Sequence, residues 1–93
     1  MASLAIKTLA ADGYTDPIRV RGSKLVDVSI SANTASTINI QRSADGTNWH
    51  TIESYASANA ERVLQSGAFG YFRVGGTWVS GSPVLRIEAG NAY

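Results

Sequence analysis

Apolar and polar residues alternate with a period of two through most of this chain, as in strands with one face in a core and one in water. In Lys24-Leu25-Val26-Asp27-Val28-Ser29-Ile30-Ser31, Val26, Val28 and Ile30 fall on one side and Asp27 and Ser29 on the other. Ser36-Thr37-Ile38-Asn39-Ile40-Gln41-Arg42 repeats the device, with Ile38 and Ile40 inward and Asn39 and Gln41 outward. Leu4–Leu9, Ile18–Arg21, His50–Tyr55, Arg62–Gln65, Tyr71–Val74 and Val84–Glu88 are further strand candidates. Asp12-Gly13, Arg21-Gly22-Ser23, Ala32-Asn33, Asp45-Gly46, Ser66-Gly67 and Gly75-Gly76 carry the turn chemistry that separates them. Ala56–Glu61 lacks an apolar stripe and reads as a loop. The pattern predicts an all-β fold: an antiparallel β-sandwich, or a small jelly-roll or Ig-like barrel, of about seven or eight short strands.

The best-defined local feature is the hairpin from Gln41 to Ile52. Asp45-Gly46 fits a turn with positive φ at Gly46, where a Cβ is penalised. Pairing Ser43 with Trp49 puts Ile40 opposite Ile52 on the core face and sends Trp49 to the outer face beside Gln41. A bulge at Gly46 turns Trp49 inward instead, and both registers stay open at this level. Ser43-x-Asp45-Gly46-x-x-Trp49 is one residue shorter than the Asp-box of sialidase propellers. It occurs once, where a propeller repeats the motif in every blade. Similar hairpins occur in larger discoidin-like sugar- and lipid-binding sandwiches.

Composition narrows the function. The 93 residues make a single domain, 1–93, with residues 1–10 available as an extended N-terminal strand or arm. No cysteine is present, which excludes disulfide staples and thiolate-bound metals. A domain this small has a modest stability margin, so support is expected from close packing or from neighbouring subunits. Charged residues are 16% of the chain and the net charge is +1, against about 25% charged in an ordinary soluble domain. A surface rich in Ser, Thr, Asn, Ala and Gly is the kind that a partner covers. Met1–Lys7 has no secretory pattern, so secretion is not expected, and no apolar run is long enough to span a membrane.

Candidate chemistry is sparse. His50 is the one histidine, flanked by Trp49 and Thr51, and lacks the second ligand or nearby acid that a metal site or general base needs. The carboxylates Asp12, Asp16, Asp27, Asp45, Glu53, Glu61 and Glu88 are scattered singly. No Gly-x-Ser-x-Gly elbow and no phosphate-binding glycine loop occurs. A non-enzymatic protein without cofactor or metal is therefore expected. Arg19, Arg21 and Lys24 form a short basic cluster, with Arg42, Arg62, Arg73 and Arg86 elsewhere. Net charge +1 is small for a phosphate-driven binder, so these arginines are expected in ion pairs or interfaces rather than on nucleic acid.

Trp78 stands in the loop Gly75-Gly76-Thr77-Trp78-Val79-Ser80-Gly81-Ser82-Pro83, either plugging one end of the sandwich or anchoring an interface. Trp49, Trp78, Tyr14, Tyr55, Tyr71 and Tyr93 offer, alternatively, a sugar-stacking platform. Taken together, Ser36–Ser43, Asp45-Gly46-x-x-Trp49, Ile52-Glu53-Ser54-Tyr55, Glu61, Gly70-Tyr71-Phe72-Arg73-Val74-Gly75, Ser80-Gly81 and Val84-Leu85-Arg86-Ile87 resemble small proteins of tailed-bacteriophage structural gene clusters. Lys7-Thr8-Leu9 and Ile18-Arg19-Val20-Arg21-Gly22 extend the resemblance over most of the chain. It implies a virion protein made in the host cytoplasm, above all a capsid decoration or cement protein. Its partners would be the major capsid protein or other virion subunits, without nucleic acid or membrane. A homo-oligomer is implied, a trimer before a dimer. Interface candidates are Trp78, Leu4, Ile6, Arg19, Arg21 and Tyr93, with Leu4–Leu9 free to pair with a partner's sheet edge. The alternatives are a neck, tail or spike component, or a carbohydrate- or host-surface-binding module.

Overall fold

A computed structural model of the chain describes residues 4–22, 24–66 and 70–91. Among these, nine strands and no helix form: β1 (Leu4–Thr8), β2 (Gly13–Tyr14), β3 (Ile18–Val20), β4 (Lys24–Ser31), β5 (Thr37–Ser43), β6 (His50–Ala56), β7 (Ala60–Ser66), β8 (Gly70–Thr77) and β9 (Val84–Asn91). Sheet A runs β1-β9-β4-β7; sheet B runs β2-β8-β5-β6, with β3 also on β8. Every pairing is antiparallel. The two sheets pack face to face as an all-β sandwich. The ninth strand is β2, whose two residues are too few to show a period and overlap the Asp12-Gly13 turn signal at Gly13.

The predicted inward positions make the core. Val26, Val28 and Ile30 of β4 face Ile38 and Ile40 of β5, joined by Ile18, Val20, Phe72, Val74, Leu85 and Ile87, all buried. Burying each such side chain contributes about 1.5–3 kcal/mol, and the clean alternation survives because β4, β5, β8 and β9 lie inside their sheets, where neighbours hold the register.

Three sequence expectations change: the loop expected over Ala56–Glu61 shrinks to residues 57–59 between β6 and β7, and two further differences lie in sheet B. Gly75-Gly76 is the end of β8 rather than a turn. A Cβ at Gly76 would lie 2.0 Å from the Thr37 carbonyl oxygen, and one at Gly75 2.2 Å from that of Gly13. The pair is there because strands on both sides of β8 approach too closely for a side chain. The other difference is in the hairpin. Arg42 opposite His50 and Gln41 opposite Thr51 continue the register expected from Ser43 and Trp49, but Ile40 then meets Glu53, not Ile52. The extra residue is Ile52, which bulges from edge strand β6 and is exposed. In exchange, Glu53 and Tyr55 come opposite the core residues Ile40 and Ile38, and Tyr55 packs against the core.

That bulge closes one open side of the sandwich. Glu53 accepts hydrogen bonds from Tyr55 and from Arg62 on β7, the latter at 2.7 Å. Arg62 lies opposite the buried Val28, so an acid and a base turn toward the core at the two edge strands. Inward-pointing charge of this kind discourages edge-to-edge pairing. Nearby, buried Asn33 accepts the Ser36 N–H, donates to the Ala58 carbonyl and takes its own N–H to Asn59, tying the β4–β5 and β6–β7 loops together.

Candidate functional site

Chemistry-bearing side chains concentrate on the outer face of sheet B, and the β5–β6 loop builds it. Ser43 Oγ accepts the Gly46 N–H at 2.8 Å and donates to Asp45 Oδ1. Asp45 Oδ1 in turn accepts the N–H groups of Thr47 and Asn48, each at 2.8 Å, while Oδ2 takes the Asn48 side chain. Gly46 has φ +80°, and a Cβ there would sit 3.3 Å from the Tyr71 ring, so the loop lies down on Tyr71. The turn predicted at Asp45-Gly46 forms, and its shape fixes where the chain delivers Trp49.

These backbone donors hold the Asp45 carboxyl well below its ordinary value of 3.8, the Asn48 and Thr47 N–H groups contributing most. A carboxyl depressed in the folded state adds stability above its unfolded pKa and loses it as pH falls through the folded one. Asp45→Ala is therefore expected to lower Tm at neutral pH, by an amount that shrinks steadily below about pH 4. Thermal melts of both proteins between neutrality and strong acid check this; a pH-independent difference would contradict the assignment.

Trp49 lies on the outer face and is half-buried. Its ring centroid is 4.2 Å from the Arg73 Cζ, and the Tyr14 ring is at the same distance. Tyr14 on β2 and Trp49 beside β5 and β6 approach from opposite sides of β8, so the guanidinium is held between two rings. Arg73 Nε donates to Gln41 Oε1 at 2.8 Å, and Gln41 Nε2 donates to Thr51 Oγ1. One pair further along, Asn39 Oδ1 accepts from Ser54 and Asn39 Nδ2 donates to Tyr14 Oη. Within the chain, Arg73 has aromatic and amide neighbours rather than a carboxylate.

Sheet A has a different outer face. Leu4 and Ile6 of β1 and Val84 of β9 are exposed, Ile6 to 59%. Ile6 lies opposite Arg86 and Leu4 opposite Glu88, and Arg86 and Glu88 pair at 2.6 Å. Beside them a shallow depression of about 480 Å³ is lined by Asp27, Ser29, Glu61, Val63 and Arg86, among others. β1 pairs with β9 of its own sheet, which leaves its other edge as the border of sheet A.

The remaining predicted positions do not gather at one place. Trp78 is half-buried against the core, its indole N–H donating to the Gly81 carbonyl at 3.0 Å and its backbone N–H to Asp12. Arg19 is half-buried on β3 opposite Tyr71, and Arg21 is exposed just beyond. Tyr93 lies outside the described residues. His50 is exposed opposite Arg42. Among the described residues, no three His, Cys, Asp or Glu side chains are placed to hold a metal, and no helix is long and apolar enough to cross a membrane. Sequence reasoning missed Tyr14–Arg73 as partners of Trp49. The available signal was that Gln41 and Arg73 both occupy outward positions of central strands.

Comparison with protein-family models, curated proteins and solved structures finds no match for this chain.

Proposed function

We propose that this chain is a non-enzymatic virion structural protein of the tailed-phage kind, a decoration or cement subunit that reinforces a capsid through protein–protein contacts. The observation that carries this reading is the apolar border of sheet A, where Leu4, Ile6 and Val84 stand exposed on regular strands beside the outer edge of β1, which meets no strand among the described residues. An exposed apolar edge is a hazard for a free monomer and an asset for a subunit that adds to a neighbour. The opposite border is closed by Glu53 and Arg62; at the β1 border Lys7, opposite buried Leu85, is the inward charge, and the outward positions are the apolar Leu4, Ile6 and Val84. The low charge of the chain and the resemblance of its hairpin segments to phage structural proteins support the same reading. Partners are the major capsid protein or other virion subunits, with a homotrimer favoured over a dimer.

Quantitative mass spectrometry of purified particles from the source tests it. A copy number comparable to that of the shell subunit is expected; a small multiple of the tail symmetry moves the protein to neck, tail or spike, and absence from particles overturns the reading. Ile6→Lys is expected to weaken particle binding by about tenfold or more. As a surface substitution it should shift folding stability by less than about 0.5 kcal/mol. Unimpaired binding of this variant would remove the β1 border from the contact.

A further inference from the structure

We infer that the outer face of sheet B is a binding site for acidic polysaccharide, with Arg73 receiving the carboxylate of a uronate-type sugar. The site lies on the opposite side of the sandwich from the β1 border and stands or falls independently of the assembly role. Arg73 is the centre. Its guanidinium is held between Tyr14 and Trp49, and Gln41 orients it through Nε. Its terminal nitrogens make no hydrogen bond or ion pair to the described residues. What is left is a planar fork of in-plane N–H donors, already stripped of rotational freedom, which is the geometry that grips a carboxylate in two-point fashion.

Among the described residues, no carboxylate is paired with Arg73. Glu53 and Glu88 are taken by Arg62 and Arg86, and Asp45 is consumed by its own loop. The outward strand positions around Arg73 are Tyr14, Arg19, Asn39, Gln41, Thr51, Ser54 and Tyr71, without an acid among them, and the exposed Asp16 between β2 and β3 makes no ion pair with it. The hydrogen-bond pattern has a direction as well. Both amide oxygens are used within the face, that of Asn39 by Ser54 and that of Gln41 by Arg73. Each amide nitrogen keeps a second hydrogen, and the Tyr14 hydroxyl keeps its own. The face therefore offers donors outward, matching a ligand dense in acceptors.

Two features select a glycan among anions. The donors are spread across neighbouring strands rather than gathered at one pocket, as the hydroxyls of a sugar chain require. Aromatic rims supply apolar contact for sugar C–H groups. An acidic peptide would look instead for a sheet edge or side-chain pockets, and nucleic acid would need more positive charge than a chain of net +1 carries.

Affinity electrophoresis of the full chain in polygalacturonate gels, followed by calorimetry with trigalacturonate, tests the site. Binding is expected to polygalacturonate and not to its methyl-esterified form. Arg73→Lys keeps the charge and loses the fork, and should weaken binding by about tenfold. Gln41→Glu places an internal carboxylate beside Arg73 and should abolish binding with Tm maintained. Equal binding of poly-glutamate would overturn the glycan assignment in favour of an acidic peptide. Unchanged affinity in Arg73→Lys, or no binding by the wild type, would overturn the site itself.

Discussion

Gly76→Ala is expected to lower stability by about 3 kcal/mol, a large loss for so small a substitution. The reason is the 2.0 Å separation between the would-be Cβ and the Thr37 carbonyl oxygen. That oxygen belongs to the backbone of β5, which pairs with β8 along its whole length. A flexible side chain would swing aside; a central strand must move, and with it the buried Ile38 and Ile40. A domain of this size has about 5–10 kcal/mol in total, and each kcal/mol is worth about 4–8 °C. A Tm fall of at least about 12 °C should follow. Gly90→Ala is the control, because a Cβ there meets nothing within 4 Å. If the two variants melt alike, the close approach of β5 and β8 is not what selects glycine.

The same glycine shows where the sequence stopped being legible. A Gly-Gly pair is a good turn signal, and nothing local separates it from a place where two neighbouring strands crowd the backbone. That distinction exists only once β2 and β5 have docked on β8. Val26, Val28, Ile30, Ile38 and Ile40 were readable because their strands are central, with one face wet and one dry. β6 is an edge strand, and there the pattern was ambiguous: either Ile52 or Tyr55 turned inward gives an acceptable alternation. The bulge chooses Tyr55, which buries a ring and lets Glu53 reach Arg62.

The candidate site divides in the same way. Asp45, Gly46 and Trp49 announce themselves because their geometry is made within a few residues: a carboxylate capping its own loop, a positive φ, and an aromatic at the exit. The partners of Trp49 come from strands remote in sequence. Read along the chain, Arg73 is one arginine among several; only the order β2-β8-β5-β6 puts it between Tyr14 and Trp49. The sandwich thereby separates two chemistries: an apolar border on sheet A and a donor-rich aromatic face on sheet B. A subunit seated through the first would present the second outward, which makes assembly and glycan capture compatible in one small domain.

Phe72→Ala is expected to be the most destabilising core truncation of the hairpin-bearing sheet, by about 4 kcal/mol. Phe72 is 2% exposed, opposite Ile18 on β3 and Arg42 on β5. Removing the ring forfeits its transfer free energy and leaves a cavity that flanking backbone ladders on both sides keep from collapsing. A second consequence follows from Arg42, whose guanidinium carbon lies 5.8 Å from the ring centroid. The ring is part of the surface over which that charge rests, so its loss lets water in behind Arg42 and loosens the end of the sandwich. Phe72→Leu refills most of the volume and should cost about 1 kcal/mol. Urea unfolding distinguishes the outcomes: a lower midpoint with unchanged m means the native state has lost packing energy, whereas a smaller m means the cavity has already loosened it. If Phe72→Ala stays within about 1 kcal/mol of the wild type, well below the usual phenylalanine range, Phe72 does not hold the two sheets together and the core must be centred on β4 and β9.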